Sequence, residues 1–145
     1  MSKQASTDFP IHELIAKRWS PYAFDERPVS PEELCSLLEA ARWAPSSYNE
    51  QPWSYILATQ NDPDEFAKLL SCLVEGNQAW AKAAPVLMVG CASLKFSRNG
   101  KPNAAATHDL GLAASNLSLE ATARGLCVHQ MIGIEPDKVR ELYRI

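Results

Sequence analysis

The sequence predicts a single domain of mixed α and β structure. Helical and strand-like periodicities alternate along the chain, convincing strand runs number only three, and 145 residues with 46% hydrophobic content suit one core. The formal net charge of −3 excludes the one-sided basic surface that a phosphate backbone demands, so nucleic acid is not an expected partner. The chain begins Met1-Ser2-Lys3-Gln4 without an apolar leader, and no run approaches the roughly 20 apolar residues of a membrane span, which makes the cytoplasm the expected compartment.

Each element follows from local signals. Asp8 to Arg18 places Ile11, Leu14 and Ile15 on one face, with Lys17 and Arg18 where they favour a helix C-terminus, and Ser20-Pro21 ends it. Ser30-Pro31-Glu32-Glu33 reads as an N-cap, a first-turn proline and a capping-box glutamate, followed by Leu34, Leu37, Leu38 and Ala41 at helical spacing. Pro45 closes that helix, and the polar segment Ser46 to Pro52 is a loop. Trp53 to Thr59 is a strand, and Asp62-Pro63-Asp64-Glu65 opens a helix carrying Phe66, Leu69, Leu70 and Leu73. The apolar run Pro85 to Cys91 predicts a strand covered on both faces at the centre of the sheet. Ser93 to Asn103 is a polar connection. Ala104 to Arg124 is a long buried helix with Gly125 beyond its end, Leu126 to Met131 a third strand, and Glu135-Pro136-Asp137 the start of a last helix through Val139 and Leu142. Three strands make a thin sheet, whose edges a further strand would relieve.

Cys35, Cys72, Cys91 and Cys127 lack C-x-x-C spacing and read as buried thiols, while His12, His108 and His129 are scattered, so no metal site is expected. Two clusters can carry chemistry. In Arg18-Trp19-Ser20-Pro21-Tyr22-Ala23-Phe24, a guanidinium and a hydroxyl emerge together and could hold a phosphate; alternatively Arg18 caps carbonyls at its helix end and Trp19 is core. In Ala44 to Trp53, the carboxamides of Asn49 and Gln51 both donate and accept, which suits the imide and carbonyl edge of an isoalloxazine ring; a plain surface loop would look similar.

Together the clusters resemble the FMN-dependent nitroreductase family. Arg18, Ser20 and Phe24 match its Arg-Arg-Ser-x-Arg-x-Phe pattern, Pro28-Val29 the next element, and Ala41-Arg42-Trp43-Ala44-Pro45-Ser46-Ser47-Tyr48-Asn49-Glu50-Gln51-Pro52-Trp53 its long motif. Gly76 to Trp80 before Ala84 to Val89, and Asp109-Leu110-Gly111 through Asn116-Leu117 to Gly125-Leu126, look like later family segments. The resemblance implies an α+β fold with a mostly antiparallel sheet flanked by helices, in an intertwined homodimer with two FMN sites at its interface. NAD(P)H would reduce the flavin, and nitro compounds, quinones or related acceptors would reoxidise it. Arg18 and Ser20, flanked by Trp19 and Tyr22, would grip the FMN phosphate and ribityl chain. Ser46, Ser47, Asn49 and Gln51 would reach the cofactor from the other subunit, Asn77 would contact the flavin or substrate side, and Ile132-Gly133 lies where the family places backbone donors near the flavin ring. No acid–base dyad or nucleophile is expected. Trp19, Tyr48 and Trp80 would line an acceptor pocket or belong to the core.

Two departures stand out. Tyr22 occupies the place of a second cation, and family members usually continue beyond the point matching Ile145 with a strand and a basic residue, so the chain is expected to be a short variant, a fragment, or one completed by its partner. These departures leave open a second reading, a flavin-binding or degenerate dimeric scaffold without turnover.

Overall fold

The computed structural model of the chain describes residues 3–145. Its elements, in order, are helix α1 (Glu13–Lys17), α2 (Pro31–Arg42), a 3₁₀ turn at Ser47–Asn49, strand β1 (Trp53–Thr59), α3 (Pro63–Leu70), α4 (Glu75–Ala81), β2 (Val86–Ala92), α5 (Ala106–Ala123) and α6 (Pro136–Tyr143). Helices and a two-stranded sheet give the α+β class that the sequence predicts. No helix among the described residues is long and apolar enough to cross a membrane.

The chain partitions into two compact bodies. One comprises the segment ending at Ser20 with Ser30–Tyr55 and Gly90–Val128; the other comprises Pro21–Val29, Ile56–Val89 and His129–Ile145. In the first body, α5 packs against α2 and α1. Small residues govern that packing: Ala16 of α1, Leu37 and Ala41 of α2, and Ala106, Ala113, Leu117 and Ala121 of α5 are buried, and Asn116 Nδ2 donates to the Ala40 carbonyl at 3.1 Å. The expected capping box opens α2, with Ser30 Oγ accepting from Glu33 N–H and the Glu33 carboxylate accepting from Ser30 N–H. Gly125 follows α5 at φ +73°, the left-handed stop that its position predicts.

In the second body, Phe66 and Leu69 of α3, Cys72, Leu73, Ala81, Leu87, Val89 and Val139 of α6 form the core. Lys138 Nζ donates to the Ser71 carbonyl at 2.6 Å, and an isolated bridge joins Leu73 to Ile134, tying α6 and the segment before it to the end of α3.

Four expectations are corrected. Helix α1 covers only Glu13–Lys17, because the His12 side chain caps it by accepting from Leu14 N–H; Ile11 lies before the helix, and Ile11 and Ile15 are exposed. Among the described residues strand β2 pairs only with β1, so it does not lie at the centre of a wider sheet; Ser93 N–H donates to the Pro52 carbonyl at one end of the ladder and Gln60 N–H to the Pro85 carbonyl at the other. Leu126 to Met131 is not a strand: its apolar spacing favours extended backbone, but a ladder also needs a neighbour with a facing row of donors and acceptors. Cys35 and Cys127 are exposed; of the four free thiols only Cys72 is fully buried.

Candidate functional site

Arg18 leaves α1 in extended conformation, φ −65° and ψ 128°, and its backbone N–H caps the helix through the Leu14 carbonyl. Its guanidinium does not turn back to that helix. Instead Nη1 lies 3.4 Å from Ser20 Oγ, both residues exposed, so a charged fork and a hydroxyl share one place on the surface. Trp19 beside them is half-buried, with the Lys3 ammonium 5.6 Å above its ring.

The Ser46–Gln51 segment belongs to the same body. Three of its residues hold left-handed backbone without being glycine: Tyr48 and Asn49 at φ 55° and Gln51 at φ 49°. Each such residue costs on the order of 1 kcal/mol and persists only when its surroundings over-determine it. Here the surroundings are several. Asn49 N–H and Glu50 N–H donate to the Ser46 and Ser47 carbonyls, Gln51 N–H donates to Ser46 Oγ at 3.0 Å, and Gln51 Nε2 donates to the Arg42 carbonyl at 3.2 Å. Ser47 N–H donates to Asp109 Oδ2 at 2.9 Å, and Ser97 N–H donates to the Glu50 carboxylate. The exposed Tyr48 ring meets Phe96 edge-on at 5.8 Å, under the Arg98 guanidinium at 4.1 Å. Gln51 is thus engaged in bracing the turn, whereas the Asn49 carboxamide is exposed and makes no hydrogen bond among the described residues.

Asn77, Ile132, Gly133 and Tyr22 belong to the second body. The Gly133 carbonyl accepts from Asn77 Nδ2 at 3.0 Å and from Val74 N–H at 3.1 Å, while Ile134 N–H folds back to the Ile132 carbonyl at 2.8 Å. A Cβ on Gly133 would fall 2.2 Å from Asn77 Nδ2, so any side chain at position 133 would have to push the Asn77 amide aside. Ile132 is 95% exposed, and the amide N–H groups of Ile132 and Gly133 donate to nothing among the described residues. Tyr22, also exposed, lies edge-on to Trp80 at 5.1 Å and to His129 at 4.7 Å; Trp80 stacks on Phe24 and tilts against His129. Trp80 is accordingly part of an aromatic cluster.

A model of the nitroreductase family matches residues 15–145. The chain belongs to this family. A crystal structure of an oxidoreductase containing FMN shares 36% identity over 100% of this chain and 74% of its own, with a TM-score of 0.92. A nitroreductase family protein from Clostridium difficile shares 26% identity over 91% of this chain and 73% of its own, TM-score 0.74. A protein from Desulfovibrio desulfuricans described as a nitroreductase in complex with FMN shares 25% identity over 94% of this chain and 78% of its own, TM-score 0.74. Among curated proteins, none matches this chain in sequence.

Within the family frame, the structure brings Arg18 to Ser20 and Asn77 to Gly133, and it gathers Ser46, Ser47, Asn49 and Gln51 on one strained turn. Four supporting residues escape a reading by spacing. Asp109 has the first-turn acid position that suits a helix dipole, and nothing local indicates that it reaches Ser47. His129, Phe96 and Arg98 likewise act on partners far along the chain or across a hairpin, which no periodicity marks.

Proposed function

We propose that this chain is an FMN-dependent oxidoreductase that takes reducing equivalents from NAD(P)H and passes them to nitro compounds, quinones or related acceptors. The observation that carries the reading is the clamped Gly133: its carbonyl accepts from Asn77 and Val74, the Asn77 amide sits against its Cα, and the amide N–H groups of the exposed Ile132 and of Gly133 donate to no described residue. Unpaired donors on a fixed backbone suit an acceptor-rich ring edge. The rest of the donor set fits a phosphorylated, flat cofactor as well, since Arg18 and Ser20 offer charge and hydroxyl for a phosphate and Asn49 offers a carboxamide for a heterocycle.

In this reading Arg18 and Ser20, flanked by Trp19 and Tyr22, hold the phosphate end, and Ser46, Ser47, Asn49 and Gln51 come from a second copy of the chain in a homodimer. Asn77 keeps the Ile132–Gly133 donors in place. When bound, FMN would supply the hydride and electron chemistry, and the chain's own residues orient it and leave room for an acceptor. The supports are family membership and the FMN-containing neighbour that aligns with the whole chain at 36% identity.

The test is anaerobic. Purified protein reconstituted with FMN should bind it, bleach on addition of NADH or NADPH, and regain colour with a nitroaromatic or quinone; protein that takes up no FMN sinks the proposal. A scaffold without turnover is the second reading, favoured by Tyr22, a neutral ring packed on Trp80 and His129 where the family pattern has a cation. Bound FMN that neither nucleotide bleaches would select it.

A further inference from the structure

We infer that Asp109 is a positioning residue for the cofactor, acting through the Ser47 amide to set the shape of the Ser46–Gln51 turn. This inference rests on the FMN reading above. Asp109 lies in the first turn of α5 and is only 3% exposed, yet among the described residues no lysine or arginine pairs with it. A buried carboxylate without a strong cation is costly unless donors satisfy it. The helix N-terminus eases that cost, but it does not dictate where the oxygens point. One oxygen, Oδ2, accepts the Ser47 N–H at 2.9 Å across 62 residues of sequence; the other faces Nδ1 of the exposed His108 at 3.1 Å.

Ser47 is the entry to the strained stretch. Tyr48 and Asn49 follow it directly in left-handed conformation and Gln51 two residues later, so the anchor sits where the turn would otherwise relax. Of the other braces, Ser46 Oγ and Gln51 Nε2 bind within the segment or to the end of α2 just before it, while Glu50 and the Tyr48 ring, both after Ser47, reach residues 96–98. Asp109 is the brace from α5, and it fixes the direction of Ser47 and Asn49, the residues assigned to FMN.

The charge and the hydrogen bond can be separated. Asp109→Asn keeps an oxygen for Ser47 N–H and offers an amide to His108, but removes the charge; Asp109→Ala removes both. Fluorescence titration should give an FMN dissociation constant for Asp109→Asn within about threefold of the parent and a weakening of at least about tenfold for Asp109→Ala, the span expected for one charge-assisted hydrogen bond. The circular dichroism of bound flavin should change with Asp109→Ala and return with Asp109→Asn. Equal losses in both variants, or parent-like binding by Asp109→Ala, would overturn the inference. Should Asp109→Ala fail to fold, hydrogen exchange on the FMN-free parent decides: the Ser47 amide should be protected like core amides of α5, and exchange as fast as an open loop would refute the anchor. If the parent binds no FMN, the functional reading fails, while exchange at residues 47–51 in the two variants still scores the positioning role.

Discussion

His129 Nδ1 lies 2.8 Å from the carbonyl oxygen of Pro21, a contact spanning 108 residues of sequence. A carbonyl only accepts, so the proton resides on Nδ1 and the ring is held in one orientation, against Tyr22 on one side and Trp80 on another. This contact ties Pro21 to the segment leading into Ile132–Gly133.

His129→Phe keeps the ring contacts and loses the hydrogen bond, so it should lower stability by about 1 kcal/mol; His129→Ala loses both and should cost roughly 2–3 kcal/mol. Urea unfolding measures both values. Equal losses in the two variants would show that the ring packing contributes nothing.

Gly133→Ala would force Asn77 Nδ2 away from a position 2.2 Å from the new Cβ. Because Nδ2 ends a flexible side chain, the main effect is loss of its bond to the Gly133 carbonyl, about 1 kcal/mol. FMN affinity should fall as well, and Asn77→Ala combined with Gly133→Ala should cost less than the two single changes added together. Strict additivity would disconnect the pair.

The Tyr55 hydroxyl is buried without a hydrogen-bond partner, and burial pushes its pKa above the ordinary value of 10.0. A raised folded-state pKa means the neutral phenol contributes stability below pH 10, which is lost as pH rises through the folded value. Tyr55→Phe should therefore be neutral or stabilising by up to about 1 kcal/mol at pH 7. It should also flatten the loss of stability above about pH 10, followed by thermal melts from pH 8 to 11; an unchanged alkaline slope would refute the assignment.

The four thiols should separate by reactivity. Cys35 and Cys127 are exposed and should react at once with a disulfide reagent, whereas burial raises the pKa of both Cys91 and Cys72. Cys91, partly accessible, should follow slowly, and Cys72, at 0% exposure with Sγ donating to the Lys68 carbonyl, should wait for unfolding. Four equal rates would contradict this burial order.

What could be read in the sequence is what local chemistry writes. Ser30 with Pro31 and Glu33, Asp62 with Pro63, and Gly125 after an alanine-rich run mark α2, α3 and the end of α5 through contacts a few residues apart. Leu126 to Met131 misleads because strand pairing is a property of two segments, and α4 carries no start signal in the sequence because Val74 offers no side-chain cap. The site divides the same way. The Ser46–Gln51 motif marks candidate side chains, but its left-handed backbone and its anchor on Asp109 emerge only when segments 62 residues apart meet.

The interlock of Gly133 with Asn77 has an evolutionary corollary. A lineage drifting away from glycine at position 133 displaces the Asn77 amide, whether that side chain swings aside or shrinks, and so gives up the bond that fastens the neighbouring loop. These two positions, 56 residues apart, should therefore be inherited as one character, and a homologue that breaks either would be expected to have rebuilt this corner with different residues.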